Sequence, residues 1–218
     1  MKAISADTVL ERHGKTITTY VAYDAWYALQ RLDPGQVLEI VTDDFEPFES
    51  DIPAWCEEAG HRLIGWDRRA DGLHFLIEKG EERQPGASLA MIISDAGLLE
   101  LLSPLAFALA AALEGVQVHL YFQGPAVRVL ARGFQAKLPG WGRPFTRFAQ
   151  RGMTRTGHIP AQDKLRQLCT LNARLYACGG SMQHFKVAKE DLAFDDVPIV
   201  EYLTFMSVMK ASDIQLVV

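Results

Sequence analysis

Apolar residues in the first eighty positions recur with two different periods. Short runs of mixed β-branched and aromatic character at Thr8–Glu11, Val37–Thr42 (VLEIVT), Arg62–Trp66 and Leu73–Glu78 predict four strands. Between them, Val21, Ala25, Leu29 and Leu32 are spaced for one helix that stops at Asp33-Pro34-Gly35. Ile52, Trp55, Cys56 and Ala59 are spaced for a second that stops at Gly60. The order β-α-β-α-β-β, with two helices available for one sheet face, predicts an α+β two-layer sandwich.

The remainder of the chain changes rhythm. Near-continuous apolar strands at Leu89–Ser94, Val116–Phe122, Arg174–Ala177 and Ile214–Val218 alternate with helical patterns over 98–114, from Pro125, over 160–171, from Ser181 and over 199–209. Strands apolar along their whole length and separated by helices indicate a parallel sheet covered on both faces, a doubly wound α/β domain. The segment Lys79–Ser88 (KGEERQPGAS) interrupts both patterns with charge, proline, glycine and small polar residues. We therefore expect a first domain over 1–80, a linker over 81–87 and a second domain over 88–218.

Composition narrows the class. With 49% hydrophobic and 22% charged residues in 218, a disordered or collagenous chain is excluded. Three cysteines, an odd number without a CxxC pair, argue against a disulfide framework and a thiolate zinc site, and the reducing cytoplasm is the expected compartment. The polar N-terminus lacks the apolar core of a signal peptide. Leu98–Leu113 (LLELLSPLAFALAAAL) carries Glu100, Ser103 and Pro104 and is shorter than the ~20 residues of a spanning helix, so a buried helix is expected there.

Charge is unevenly distributed. Residues 1–80 hold 15 acids against 8 bases, a net of −7, whereas 81–218 hold 12 against 14, a net of +2. No acid lies between Glu114 and Asp163, yet seven bases do, and Arg143, Arg147, Arg151 and Arg155 recur every fourth residue. Gly140, Gly142, Pro144 and Gly152 predict a solvated loop rather than a continuous helix. Were the segment helical, the four arginines would form a cationic stripe able to meet an anionic ligand, an acidic protein or lipid headgroups. Nucleic acid is not an expected partner at a pI of about 5.7.

The sheet class points to one candidate for chemistry, because ligands meet parallel sheets at the carboxyl ends of the strands. In Arg174-Leu175-Tyr176-Ala177-Cys178-Gly179-Gly180-Ser181, a short strand runs through glycines into a helix, leaving Cys178 at the strand end beside a helix N-terminus. Unpaired N–H groups and the positive end of the helix dipole would stabilise a thiolate there, while Gly179 and Gly180 leave space above the sulfur. The competing reading is a small buried hydrophobe. Cys56, on the apolar face with Ile52 and Ala59, reads as a core thiol. Cys169 could resolve a disulfide with Cys178 only if the fold brings their Cα atoms within roughly 7 Å. His184 is a possible base from the following helix, against the plainer reading of a surface histidine. The six histidines form no ligand cluster, and GxGxxG, GxxxxGK[ST] and GxSxG are absent, so neither a metal site nor a cofactor is expected.

The second domain resembles the DsrE family, in particular its DsrE2-like branch, through LAMIISDAGLLELLSPLAFALAAALEGVQVHLYF and above all LYACGGSMQHFKVAKEDL. The resemblance covers nearly all of 88–218. It implies sulfur trafficking with Cys178 as the persulfide-bearing residue, donor and acceptor proteins as partners, and a homo-oligomer. Gln183-His184 departs from the family's more usual acidic and small apolar pair. The first domain resembles the TusA family of sulfur carriers through its βαβαββ order, LDPGQVLEIVTDDFEPFESDIPAWCEEAGHRLIG and LHFLIEKG. That family's Cys-Pro-x-Pro motif falls here on Thr18-Thr19-Tyr20-Val21, so the carrier cysteine is absent and a docking role is implied instead. A threonine hydroxyl cannot hold a sulfane sulfur, and Thr18 or Thr19 is expected to serve as a helix N-cap. The alternative to sulfur relay is a non-catalytic interaction or regulatory module built from degenerate carrier domains.

Overall fold

The structure, a computed structural model, describes residues 5–81 and 86–218. It divides into two compact units, one built on the elements before residue 81 and the other on the elements after residue 86, with Leu113–Gly115 and Gly152–His158 grouped with the first. Residues 82–85 of the expected linker lie outside the described residues.

The first unit contains β1 (Thr8–Arg12), α1 (Thr18–Leu29), β2 (Val37–Thr42), α2 (Pro47–Ala59), β3 (Arg62–Arg69) and β4 (Gly72–Glu78). Its sheet runs β1-β2-β4-β3, with β1 parallel to β2 and β4 antiparallel to both its neighbours. Leu38 and Ile40 of β2, with Leu73, Phe75 and Ile77 of β4, are fully buried, as the period of two requires for a face packed on helices. Val21, Ala25 and Leu29 of α1, and Phe48, Ile52 and Trp55 of α2, bury the matching stripes. Gly60 ends α2 in the left-handed region (φ 83°), its N–H reaching the Cys56 and Glu57 carbonyls. Gly72 admits no side chain: at φ 134°, a Cβ would come within 1.8 Å of the Thr42 carbonyl oxygen.

The second unit contains β5 (Ser88–Ile93), α3 (Leu102–Leu113), β6 (Gln117–Phe122), α4 (Thr146–Arg155), α5 (Ala161–Thr170), β7 (Arg174–Cys178), α6 (Gly179–Phe185), β8 (Ile199–Val200), α7 (Tyr202–Ala211) and β9 (Ile214–Val217). All five strands are parallel, in the order β8-β7-β6-β5-β9. The chain steps from β5 to β8 in one direction and then returns to the far side of β5. Right-handed crossovers therefore set α7 on the face opposite α3 and α5. Phe205 of α7 stacks on Tyr121 of β6 at 4.6 Å and meets Tyr176 of β7 edge-on at 5.4 Å. The α+β sandwich and the doubly wound α/β domain match the expected fold class.

Several local expectations are corrected. The helix predicted from residue 98 begins at Leu102, so Pro104 falls in its first turn, where a missing N–H is tolerated. The helix predicted from Pro125 is a 3-10 turn over Gly124–Leu130. The start of the pattern over 199–209 is the edge strand β8, with the helix following from Tyr202. The basic segment read as a loop forms a 3-10 turn over Gly140–Phe145 and then α4. Pro144 sits inside the 3-10 turn, and Gly152 is accommodated within α4 at the modest cost of one interior glycine. Neither threonine caps α1: the N-cap residue is Ile17, without a side-chain bond, and Thr18 is already helical.

Candidate functional site

Cys178 is the last residue of β7 and the N-cap of α6. Strand alternation puts it on the same face as Tyr176, the face covered by α7. Its sulfur accepts a hydrogen bond from the Ser181 N–H at 3.4 Å, the capping role that a strand-to-helix turn assigns to this position. The Ser181 hydroxyl accepts in turn from the Gly124 N–H at 2.8 Å, fixing the start of α6 against the turn that follows β6.

The sulfur has two further neighbours that sequence reasoning missed. Glu201, the N-cap residue of α7, places Oε2 at 3.8 Å from Cys178 Sγ, in position to accept from the thiol, while Oε1 accepts from the Gly180 N–H at 2.7 Å. The Tyr121 hydroxyl is driven well above the ordinary tyrosine range, first by burial and then by its hydrogen bond to Cys178. It stays protonated near neutral pH, and its hydroxyl donates to the Val200 carbonyl at 3.5 Å. A Cβ at Gly179 would approach Glu201 Oε1 to 2.9 Å and Ile199 Cγ2 to 3.3 Å, so a side chain there would shift the carboxylate. Cys178 itself is only 2% exposed, beside the exposed Glu201.

The other sequence candidates lie elsewhere. Cys169 is exposed at the end of α5, where the Ala173 N–H folds back onto the Leu168 carbonyl and β7 then begins. Cys178 is at the opposite end of that strand, roughly 15 Å away at ~3.3 Å per residue, so the two thiols are not brought within disulfide reach. His184 is exposed in the last turn of α6 with its ring against Phe185 at 4.8 Å, about 9 Å along the helix from the sulfur. It is not brought to Cys178. Cys56 is buried in the first unit with its thiol pushed up to about 12 by desolvation, which leaves it unreactive near neutral pH. Among the described residues, no group of three or more His, Cys, Asp or Glu side chains is arranged to hold a metal ion.

An α+β sandwich followed by a parallel α/β domain with a capped thiol at the carboxyl end of β7 defines a two-domain thiol protein. The chain belongs to the DsrE/DsrF-like family, whose sequence model matches residues 89–218, and the model described as Sulfurtransferase TusA matches residues 25–79. Both are families of sulfur relay and trafficking that work with partner proteins, and a general sulfur-trafficking role follows. The TusA match begins after Thr18-Thr19-Tyr20-Val21, where the carrier motif would fall. No curated protein matches the chain. Among solved structures, it is similar to the YchN protein of E. coli, with 15% identity and a TM-score of 0.43 over 62% of this chain and all of that one.

Proposed function

We propose that this protein relays sulfane sulfur as a persulfide on Cys178. The supporting observation is the placement of that sulfur at the start of α6, between the Ser181 N–H at 3.4 Å and the Glu201 carboxylate at 3.8 Å. In the first step, Glu201 takes the thiol proton and Cys178 Sγ attacks the outer sulfur of a donor persulfide, R–S–SH. The new Sγ–S bond forms as the donor S–S bond breaks. The donor leaves as R–SH after taking up a proton, and Cys178–S–SH remains, with no net oxidation. The Ser181 N–H bonds to Sγ while it carries charge. Transfer to an acceptor thiol is the reverse exchange on a partner protein. No acid/base pair beyond Glu201 is required, because a thiolate is both the nucleophile and the leaving group. The first domain, with threonine at the carrier position, acts as the docking module.

Incubation of the purified chain with a persulfide donor is expected to add one sulfur to the intact mass. The increment is absent in Cys178→Ser and retained in Cys56→Ser. A wild-type chain that gains nothing from an efficient donor sinks the proposal.

One observation favours a second reading, a non-catalytic interaction module: Cys178 is only 2% exposed. That reading requires partner capture unaffected by Cys178→Ser, together with no mass increment on the wild type.

A further inference from the structure

The segment 141–151 displays apolar rings that no core requires. Trp141 is 99% exposed, Phe145 66% and Phe148 79%, and all three stand among the exposed Arg143, Arg147 and Arg151. Within α4, Arg147 and Arg151 are one helical turn apart, and Phe148 lies beside them on the solvent side, opposite the buried Thr146. Exposed aromatics interleaved with arginines, on a stretch with no acid from Glu114 to Asp163, have the composition of a helix lying in a lipid interface.

A second observation adjoins this face. A cavity of about 580 Å³ opens beside the 3-10 turn at Gly140, at the carboxyl end of β5, with Arg128, Lys137 and Arg143 on its walls alongside Phe134 and Leu138. Among the described residues, none of these three cations is paired with a carboxylate. The one acid on the wall, Asp95, accepts instead from the Gly97 N–H at 2.8 Å. Three unneutralised cations around an amphipathic cavity suit an anionic headgroup with part of its glycerol backbone.

We infer that this face docks the protein peripherally on an anionic phospholipid surface, with Trp141, Phe145 and Phe148 entering the headgroup layer and one anionic headgroup held by Arg128, Lys137 and Arg143. A soluble polyanion would use the arginines but would leave the apolar faces of Trp141, Phe145 and Phe148 in water. No helix among the described residues is long and apolar enough to cross a membrane, so the contact is interfacial. The inference is independent of the chemistry at Cys178.

The test is co-sedimentation of the full chain with vesicles of phosphatidylcholine alone or of equal parts phosphatidylcholine and phosphatidylglycerol. Binding is expected on the mixed vesicles only, with release at high salt and a blue shift of tryptophan emission that Trp141→Phe abolishes. The triple variant Trp141→Ala, Phe145→Ala, Phe148→Ala keeps the charge unchanged and should lose about tenfold or more in vesicle affinity. Replacing Arg128 and Lys137 with glutamine, both outside the aromatic segment, should also weaken binding. Thermal melts verify that the variants fold, as substitution of exposed side chains predicts. No partition onto the mixed vesicles overturns the inference. So does an aromatic triple variant that binds as the wild type does, or capture on heparin beads without any on vesicles, which would assign the face to a polyanion.

Discussion

Glu201 has two duties at one carboxylate. Through Oε1 it satisfies the Gly180 N–H at the start of α6, and through Oε2 it faces the Cys178 thiol. Substitution by glutamine separates them, since an amide oxygen still accepts from Gly180 but the group no longer takes a proton at neutral pH. Glu201→Gln is therefore expected to keep its melting temperature within a few degrees while sulfur uptake slows by about 10²-fold, the lower end for loss of a general base. Time-resolved intact mass after donor addition measures the rate, and an unchanged rate would reduce Glu201 to a structural cap. Cys178 was legible in the sequence because strand, glycines and helix are contiguous. Glu201, 23 residues later, was not, because only the pairing of β7 with β8 at Cys178↔Val200 brings it to the sulfur.

At the scale of elements, the period of apolar residues located most helices and strands, and the misses run in both directions. Local breakers do not prevent helix in 140–155, where the chain absorbs Pro144 in a 3-10 turn and continues as α4. On α5 the opposite happened: a polar position that reads as surface is buried. Lys164 is 1% exposed, reaches the Leu102 carbonyl with Nζ at 3.4 Å, and is lowered to about 8 by desolvation. The unfolded chain keeps the proton to about 10.4, so between pH 8 and that value unfolding takes up a proton and stability rises with pH. Below pH 8 both states hold the proton and the penalty of the buried charge is fully present. Relative to Lys164→Met, the wild type should gain up to ~3 kcal/mol over that window. Urea titrations of both proteins at pH 7.5 and 10.5 read the difference, and parallel pH profiles would show that Lys164 does not titrate as its burial predicts.

At the scale of the whole molecule, the proposed persulfide chemistry is assigned to one unit, that of Cys178. The first unit's only cysteine, Cys56, is buried and held at about 12. The chain's division into two compact units leads to a direct expectation: residues 86–218 alone fold and take up one sulfur on Cys178, whereas residues 1–81 alone take up none. Circular dichroism and intact mass of the two fragments test this. A second-domain fragment that folds but stays unmodified under the conditions that load the full chain would give the first domain a part in the transfer itself.

The linear pattern by itself determined the two fold classes, their order and the candidacy of Cys178. Each of these is a matter of periodicity or of residues adjacent in the chain. Tertiary structure alone decided which groups surround the sulfur. Parallel strands pair residues far apart in sequence, so Tyr121 from β6 and Glu201 from the start of α7 reach Cys178, while His184 and Cys169, nearer in the chain, are carried away along a helix and to the far end of a strand. The exposure of Trp141, Phe145 and Phe148 was equally a decision of packing. An aromatic residue is drawn inward by its apolar area, and only the folded chain shows which ones the core left outside.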